Sequence, residues 1–233
     1  MTTLVIAHRT CPRDAVENSV AGIRHAAQAG ADAVEIDVRL TLDGQPVLMH
    51  DPSLWRTTRR ARRLDRTSFA EVRKLRLRGS EETVPNLAEA LAALDGDVRL
   101  AIDVKDPAAA DAVLSEVRNQ RAESCVLFWA KSTAALTLAA ERAPEIEASL
   151  LRDAKRPDEI RQFLTDAEGA GARGISAHWS VITPPFVDAA RRHGLRVYAW
   201  CKTRDIDRAK AALLDGVVTD WPSAARAVVD GSA

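Results

Sequence analysis

Apolar and polar positions change period several times along this chain, and each change marks an element. Leu4 to His8 is a short apolar run that ends in polar residues, and a polar loop from Thr10 to Asn18 follows it. From Ser19 to Ala29 the apolar residues recur at helical spacing, with Ser19 placed as an N-cap and Gly30 as a stop. Ala33 to Leu40 then alternates as a strand, and Asp43-Gly44 is a tight-turn signal that folds Gln45 to Met49 back as a hairpin.

From Arg99 onward the alternation is regular. Strands are predicted at Arg99–Val104, Cys125–Trp129, Glu147–Leu151, Gly174–Ala177, Arg196–Trp200 and Val217–Thr219. Helices are predicted at Pro107–Gln120, Ser132–Arg142, Pro157–Ala167, Pro185–His193, Asp205–Leu214 and Ser223–Val229. Between Pro52 and Asp97 the pattern breaks into a basic irregular piece, Trp55 to Arg66, and short helices near Ser68–Leu75 and Leu87–Leu94, so 52–97 reads as an insertion. About eight strand-then-helix units in 233 residues predict an α/β fold. We expect a (β/α)8 TIM barrel, one domain over 1–233, with a small insertion after the second strand. The rival, an open doubly wound sheet, lacks its Gly-rich phosphate fingerprint after the first strand.

Composition narrows the function classes. The chain is 46% hydrophobic and 28% charged, with 33 basic and 33 acidic side chains. No net field argues for nucleic acid or an anionic membrane, so an anionic ligand has to meet a local positive cluster. No apolar run approaches the roughly 20 residues of a bilayer span, and the N-terminal run carries no cleavage signature. A cytoplasmic chain without a membrane anchor is therefore expected. Cys11, Cys125 and Cys201 are odd in number and far apart, which suits a reducing compartment better than a disulfide framework.

A barrel gathers its site at the carboxyl ends of its strands. Those ends carry His8-Arg9, Glu35 and Asp37, Asp103 and Lys105, Trp129, Arg152, His178-Trp179, Trp200 and Asp220-Trp221, with His50-Asp51 on the hairpin. Glu35 and Asp37 point to one face and would repel without a cation between them, and Asp103 offers a third oxygen. An all-oxygen set suits a hard ion, Mg²⁺ or Ca²⁺. His8 and His50 beside it supply a general base and a general acid, and Arg9 and Lys105 would hold a phosphate. Trp200 reads as a substrate wall, His178 as either site or cover, His25 and His193 as without a role, and Arg56 to Arg66 as a solvated basic face.

These residues resemble the bacterial glycerophosphodiester phosphodiesterase family over nearly the whole length. The resemblance rests on His8-Arg9-Thr10, Val16-Glu17-Asn18-Ser19, the segment Glu35 to Asp51, Leu54-Trp55-Arg56-Thr57-Thr58, Val84-Pro85-Asn86-Leu87, Ile102-Asp103-Val104-Lys105, Ala199-Trp200 and Asp215 to Pro222. It implies a barrel, a divalent cation held by Glu35, Asp37 and Asp103, and His8 and His50 as the acid/base pair. It also implies hydrolysis of a small phosphodiester to an alcohol and glycerol 3-phosphate. On this reading His8 activates the attacking oxygen, His50 protonates the departing alkoxide, and Glu17 supports Arg9 or the attacking group. Departures are Thr10-Cys11 for the family's glycine, Asp103 for its usual Glu, Cys201-Lys202-Thr203 for Thr-Val-Asn, and Arg59 to Arg63 without the usual glycines. The rival readings are the same chemistry on a lysophospholipid or sugar phosphodiester, by way of a cyclic phosphate or not, and a non-catalytic phosphate-ligand barrel.

Overall fold

A computed structural model of the chain describes residues 3–201 and 204–231. Among the described residues nine strands form one sheet: β1 (Leu4–Ala7), β2 (Ala33–Leu40), β3 (Pro46–Leu48), β4 (Arg99–Val104), β5 (Val126–Ala130), β6 (Glu147–Arg152), β7 (Gly174–His178), β8 (Arg196–Cys201) and β9 (Gly216–Thr219). All but β3 pair in parallel, and because β1 pairs with both β9 and β2, those eight strands close into the expected (β/α)8 barrel. β3 runs antiparallel along the outer half of β2, Leu40 to Val38, where β1 has already ended.

The helices are α1 (Val20–Gln28), α2 (Trp55–Thr58), α3 (Phe69–Val72), α4 (Leu87–Ala92), α5 (Ala110–Asn119), α6 (Thr133–Arg142), α7 (Pro157–Gly169), α8 (Pro184–Arg192), α9 (Arg208–Ala211) and α10 (Pro222–Asp230). Ser19 caps α1 by accepting the Gly22 N–H at 2.9 Å, as its sequence position suggested. α4 packs against α1, α5 and β3 and so takes the place between α1 and α5 in the outer ring. The expected 52–97 insertion thus ends in a helix of the ring, while α2 and α3 cover a separate small core of Val47, Met49, Leu54, Leu64, Val72, Leu77 and Val84. The helix expected at Asp205–Leu214 is only four residues long. Its end tightens through Leu213 N–H to Lys210 and Leu214 N–H to Ala211, because Asp215 must at once bond Leu4 and Val197 to start β9.

Alternation along each strand makes two apolar layers. Outward residues such as Val34, Ile36, Ile102 and Phe128 pack beneath the helices, while Ile6, Ala33, Ala101, Leu127, Trp129, Tyr198 and Val218 fill the barrel. Trp129 and Tyr198 meet at 5.3 Å and form an aromatic floor. Gly216 lets Tyr198 lie flat there, since a Cβ at that position would come within 2.9 Å of its ring. Among the described residues no helix is long and apolar enough to cross a membrane.

Candidate active site

β2 supplies the centre. Its alternation turns Glu35 and Asp37 inward, and the register of β2 against β4 sets Asp103 directly beside Asp37. All three acids are almost wholly buried and bring ligand oxygens within 4.8 Å of one another. Lys105, two residues beyond Asp103, places its ammonium 2.6 Å from Asp37 Oδ1 and donates to Asp103 Oδ2. The Arg9 backbone N–H donates to Glu35 Oε2 at 2.7 Å, and its guanidinium Nε lies 3.3 Å from Asp37 Oδ2. Asn18 clamps the same acid from both ends: its Nδ2 donates to Asp37 Oδ2 at 2.8 Å, and its Oδ1 accepts the Asp37 N–H at 2.9 Å.

The charges do not balance. Burial, with Asp37 alongside, pushes the Glu35 carboxyl up to about 7, and burial raises Asp103 as well. Burial also opposes ionisation of Asp37, but Lys105 and Arg9 outweigh it and hold its carboxyl below the usual range. Lys105 is buried too, yet Asp37 and Asp103 keep it more firmly protonated than an ordinary lysine. Asp37 Oδ1, despite its closeness to Lys105, and Asp103 Oδ1 are buried without a well-oriented hydrogen bond. Buried carboxylate oxygens whose hydrogen bonding is incomplete, in a cluster of oxygen ligands alone, fit a hard divalent cation. Glu35, Asp37 and Asp103 could hold one.

Two histidines flank this centre, each tied to an acid. His8 Nδ1 lies 2.6 Å from Asp220 Oδ1 at the end of β9, and His50 Nδ1 lies 2.6 Å from Asp51 Oδ1. An ionised carboxylate only accepts, so each ring donates its Nδ1–H to its acid in a hydrogen bond and keeps Nε2 facing away from it. Burial works against charging His8, but the Asp220 bond and the field of Glu35 raise its pKa above the ordinary value. At His50 burial prevails over Asp37 and Asp51, and the pKa is lowered. The His50 carbonyl is fixed by Arg39 Nε at 2.8 Å.

Behind His50 the chain of contacts continues. Asp51 Oδ2 accepts from Arg56 Nε at 2.5 Å, and the two terminal nitrogens of Arg56 donate to the two oxygens of Glu17 at 2.7 Å each. Although burial opposes it, the Arg56 and His50 bonds hold the Asp51 carboxyl down to about 2. Glu17, expected beside Arg9 or the attacking group, is instead bound at both oxygens by Arg56. Arg56 itself departs from the solvated face expected for its run.

The loop after β1 explains a departure in the sequence. Arg9, Thr10 and Cys11 have φ of 44°, 61° and 69°, so the family's glycine position is one where a left-handed backbone is required. Thr10 takes that conformation with its hydroxyl donating to the Val16 carbonyl at 3.0 Å, and the space it needs comes from Gly22, where a Cβ would sit 2.4 Å from the Thr10 hydroxyl. Asn18, at φ 53°, is of a residue type that tolerates the same region.

Of the other rim residues, Trp200 lies edge-on to His178 with ring centres 4.3 Å apart and packs, partly buried, against the apolar residues that fill the barrel. Trp129 is buried in the floor, and Arg152 turns outward to Asp166 and the Phe163 ring, so neither faces the mouth. Lys202 and Thr203 lie outside the described residues. Asn18, Arg56 and Asp220 are the site members to which the sequence reading gave no role. Asn18 stood inside a quoted motif, and Asp220 at a strand end, but only their partners reveal what they hold.

The family model for the glycerophosphoryl diester phosphodiesterase family matches residues 8–224. The chain belongs to that family. It is 27% identical to a glycerophosphodiester phosphodiesterase of Caldanaerobacter subterraneus subsp. tengcongensis over 95% of this chain and 96% of the relative. A stretch of 109 residues, 43% of this chain and 33% of the relative, is 45% identical to human glycerophosphodiester phosphodiesterase 1. The fold superimposes on an Oleispira antarctica phosphodiesterase in complex with the product sn-glycerol-3-phosphate, with a TM-score of 0.85 and 27% identity over 98% of this chain and 97% of the other. It also matches a glycerophosphodiester phosphodiesterase from Agrobacterium tumefaciens, with a TM-score of 0.78 and 26% identity over 95% and 98% of the two chains. The activity class of this family member is accordingly phosphodiester hydrolysis of a small glycerophosphodiester.

Proposed function

We propose that this barrel, a single domain with the segment 52–97 inserted in it, hydrolyses glycerophosphodiesters to an alcohol and glycerol 3-phosphate with a divalent cation, Mg²⁺ or Ca²⁺, held by Glu35, Asp37 and Asp103. The observation that carries the reading is the buried, incompletely neutralised trio of carboxylates set between two acid-anchored histidines. When bound, the cation offsets phosphate charge and makes phosphorus more open to attack. Arg9, fixed through its backbone to Glu35, and Lys105, fixed by two acids, add positive charge where the transition state gains negative charge. His8 Nε2 takes the proton of the attacking oxygen, and His50, in its doubly protonated form, gives its Nε2 proton to the departing alkoxide and is reprotonated from solvent. Trp200 walls the mouth on the side of β8.

A phosphorus NMR assay with glycerophosphocholine tests this. We expect glycerol 3-phosphate with added Mg²⁺ or Ca²⁺ and no product after EDTA; unchanged turnover in EDTA overturns the cation's role. The pH dependence of ion binding is a second check. Proton and cation compete for Glu35, whose carboxyl sits at about 7 without the ion, so affinity should rise as pH climbs to that value and level off above it. Calorimetric titration at acid and alkaline pH reads this, and equal affinities on both sides would remove Glu35 from the ligand set.

Arg56 serves as a positioning residue for His50, acting through Asp51. Arg56→Ala should lower kcat by about 10²-fold with little change in KM, because His50 loses its fixed orientation. The Asp51 carboxyl should also return from about 2 toward the ordinary value, so activity fails at a higher pH on the acid side. A pH–rate profile that keeps its acid limb shows that the arginine only braces the fold.

A further inference from the structure

Six arginines and one acid lie between Trp55 and Arg66, in a chain whose charges cancel as a whole. The structure folds this stretch into a compact knob. The Leu54 N–H donates to the Arg62 carbonyl at 3.0 Å, the Leu64 N–H to the Pro52 carbonyl at 2.9 Å, and Ser53 bridges Arg63. Leu54 and Leu64 are buried and pin the knob to its small core, and of the residues between them all but Thr57 and Thr58 are exposed.

The arginines then divide into two sets. Arg56 is held by Glu17 and Asp51, Arg62 by Glu71 and Arg63 by Asp65. Arg59, Arg60 and Arg66 have no carboxylate within ion-pair distance among the described residues, and all three are exposed. Beside them stands Trp55, 53% exposed, with the Arg59 guanidinium 5.9 Å from its ring. The other large apolar side chain left in water among the described residues is Leu42, 65% exposed at the tip of the β2–β3 hairpin. That tip is tied to the same unit, for the Leu42 N–H donates to the Thr67 carbonyl at 3.0 Å and Asp43 accepts the Phe69 N–H at 2.9 Å.

Uncompensated guanidinium groups interleaved with an exposed indole and an exposed leucine match one kind of surface, a layer of anionic headgroups over hydrocarbon. The indole and the leucine find the apolar boundary that water denies them, and the arginines find phosphate. Nucleic acid would meet the arginines but gives Leu42 nothing to bury against. A purely solvated basic face has no use for either apolar side chain. Trp55 directly precedes the arginine that braces Asp51 beside His50, so a surface bound here lies next to the barrel mouth.

We propose that the knob Trp55–Arg66, with the β2–β3 hairpin tip, is a docking surface for anionic phospholipid bilayers. It holds the protein peripherally, by side chains, with its mouth at the headgroup layer.

Co-sedimentation of the full chain with vesicles tests the proposal without reference to the reaction. Partition onto phosphatidylcholine vesicles containing phosphatidylglycerol should exceed that onto phosphatidylcholine alone by about tenfold or more at low salt, and should fall at high salt. Arg60→Glu with Arg66→Glu should remove that preference, and Trp55→Ser should weaken partition several-fold while leaving the salt dependence in place. None of these residues belongs to the catalytic centre, so melting temperature and turnover of a soluble diester should stay as they are, which separates lost docking from lost folding. Equal partition onto both vesicle types, or anionic binding untouched by the substitutions, overturns the proposal. So does binding to a DNA duplex with no partition onto vesicles.

Discussion

Asp37→Ala is expected to abolish turnover and to destabilise the barrel by about 3–5 kcal/mol, the cost of leaving buried charges without their partner. No other residue in the site is so heavily engaged. Its carboxylate faces Lys105 at 2.6 Å, Arg9 at 3.3 Å and Asn18 at 2.8 Å, and its removal leaves an ammonium, a guanidinium and an amide without the group they surround. The loss should show as a lower denaturation midpoint, together with loss of calorimetric ion binding. Asp37→Asn keeps the volume and the Asn18 contact region but not the charge, so ion binding should still fail while less stability is lost. The pH dependence has a definite sign. Because the folded carboxyl lies below its ordinary value, this stabilisation is complete above the unfolded value of about 4 and disappears as pH falls through the lower, folded one. An Asp37→Ala protein with wild-type stability and ion affinity would remove the acid from the centre.

His8→Ala and His50→Ala should each lower kcat by about 10²–10⁴-fold, the usual worth of a positioned proton-transfer group, with the fold retained. Both rings are partly exposed at the mouth and neither fills the apolar core, so circular dichroism and melting should move little. The two variants should differ in their pH profiles. Without His8, Asp220 loses the hydrogen bond that helps hold its carboxyl low, whereas without His50 the Asp51 carboxyl still has Arg56. Near-normal turnover of a glycerophosphodiester in either variant would end the assignment of that ring as acid or base.

Much of the architecture was legible because it depends on local repetition. Alternation from Ala33 to Leu40 fixed both a strand and the shared face of Glu35 and Asp37, and Ser19 and Gly30 bounded a helix that ends within a residue or two of that reading. Errors arose where a distant contact intervened. The helix before β9 stops early because Asp215 is needed by two strands. Arg152 was placed on the rim by its position at a strand end. The side-chain parity of β6 sends it outward instead, against Phe163.

For the site, the sequence by itself determined the kinds of group present and which of them share a strand face, since both follow from residue type and a period of two. It could not determine which groups meet. Asp103 stands beside Asp37 because β2 and β4 pair in that register, and His8 meets Asp220 across 212 residues because the barrel closes β9 onto β1. Glu17 reaches Arg56 only when the loop after β1 and the segment after β3 lie side by side. The same holds for the basic run: one sequence pattern contains an arginine that orients a histidine's partner, two that are neutralised and three left uncompensated. Arg63 finds its acid locally in Asp65, but what Arg56 and Arg62 meet depends on where Glu17, Asp51 and Glu71 come to rest, and only tertiary packing decides that.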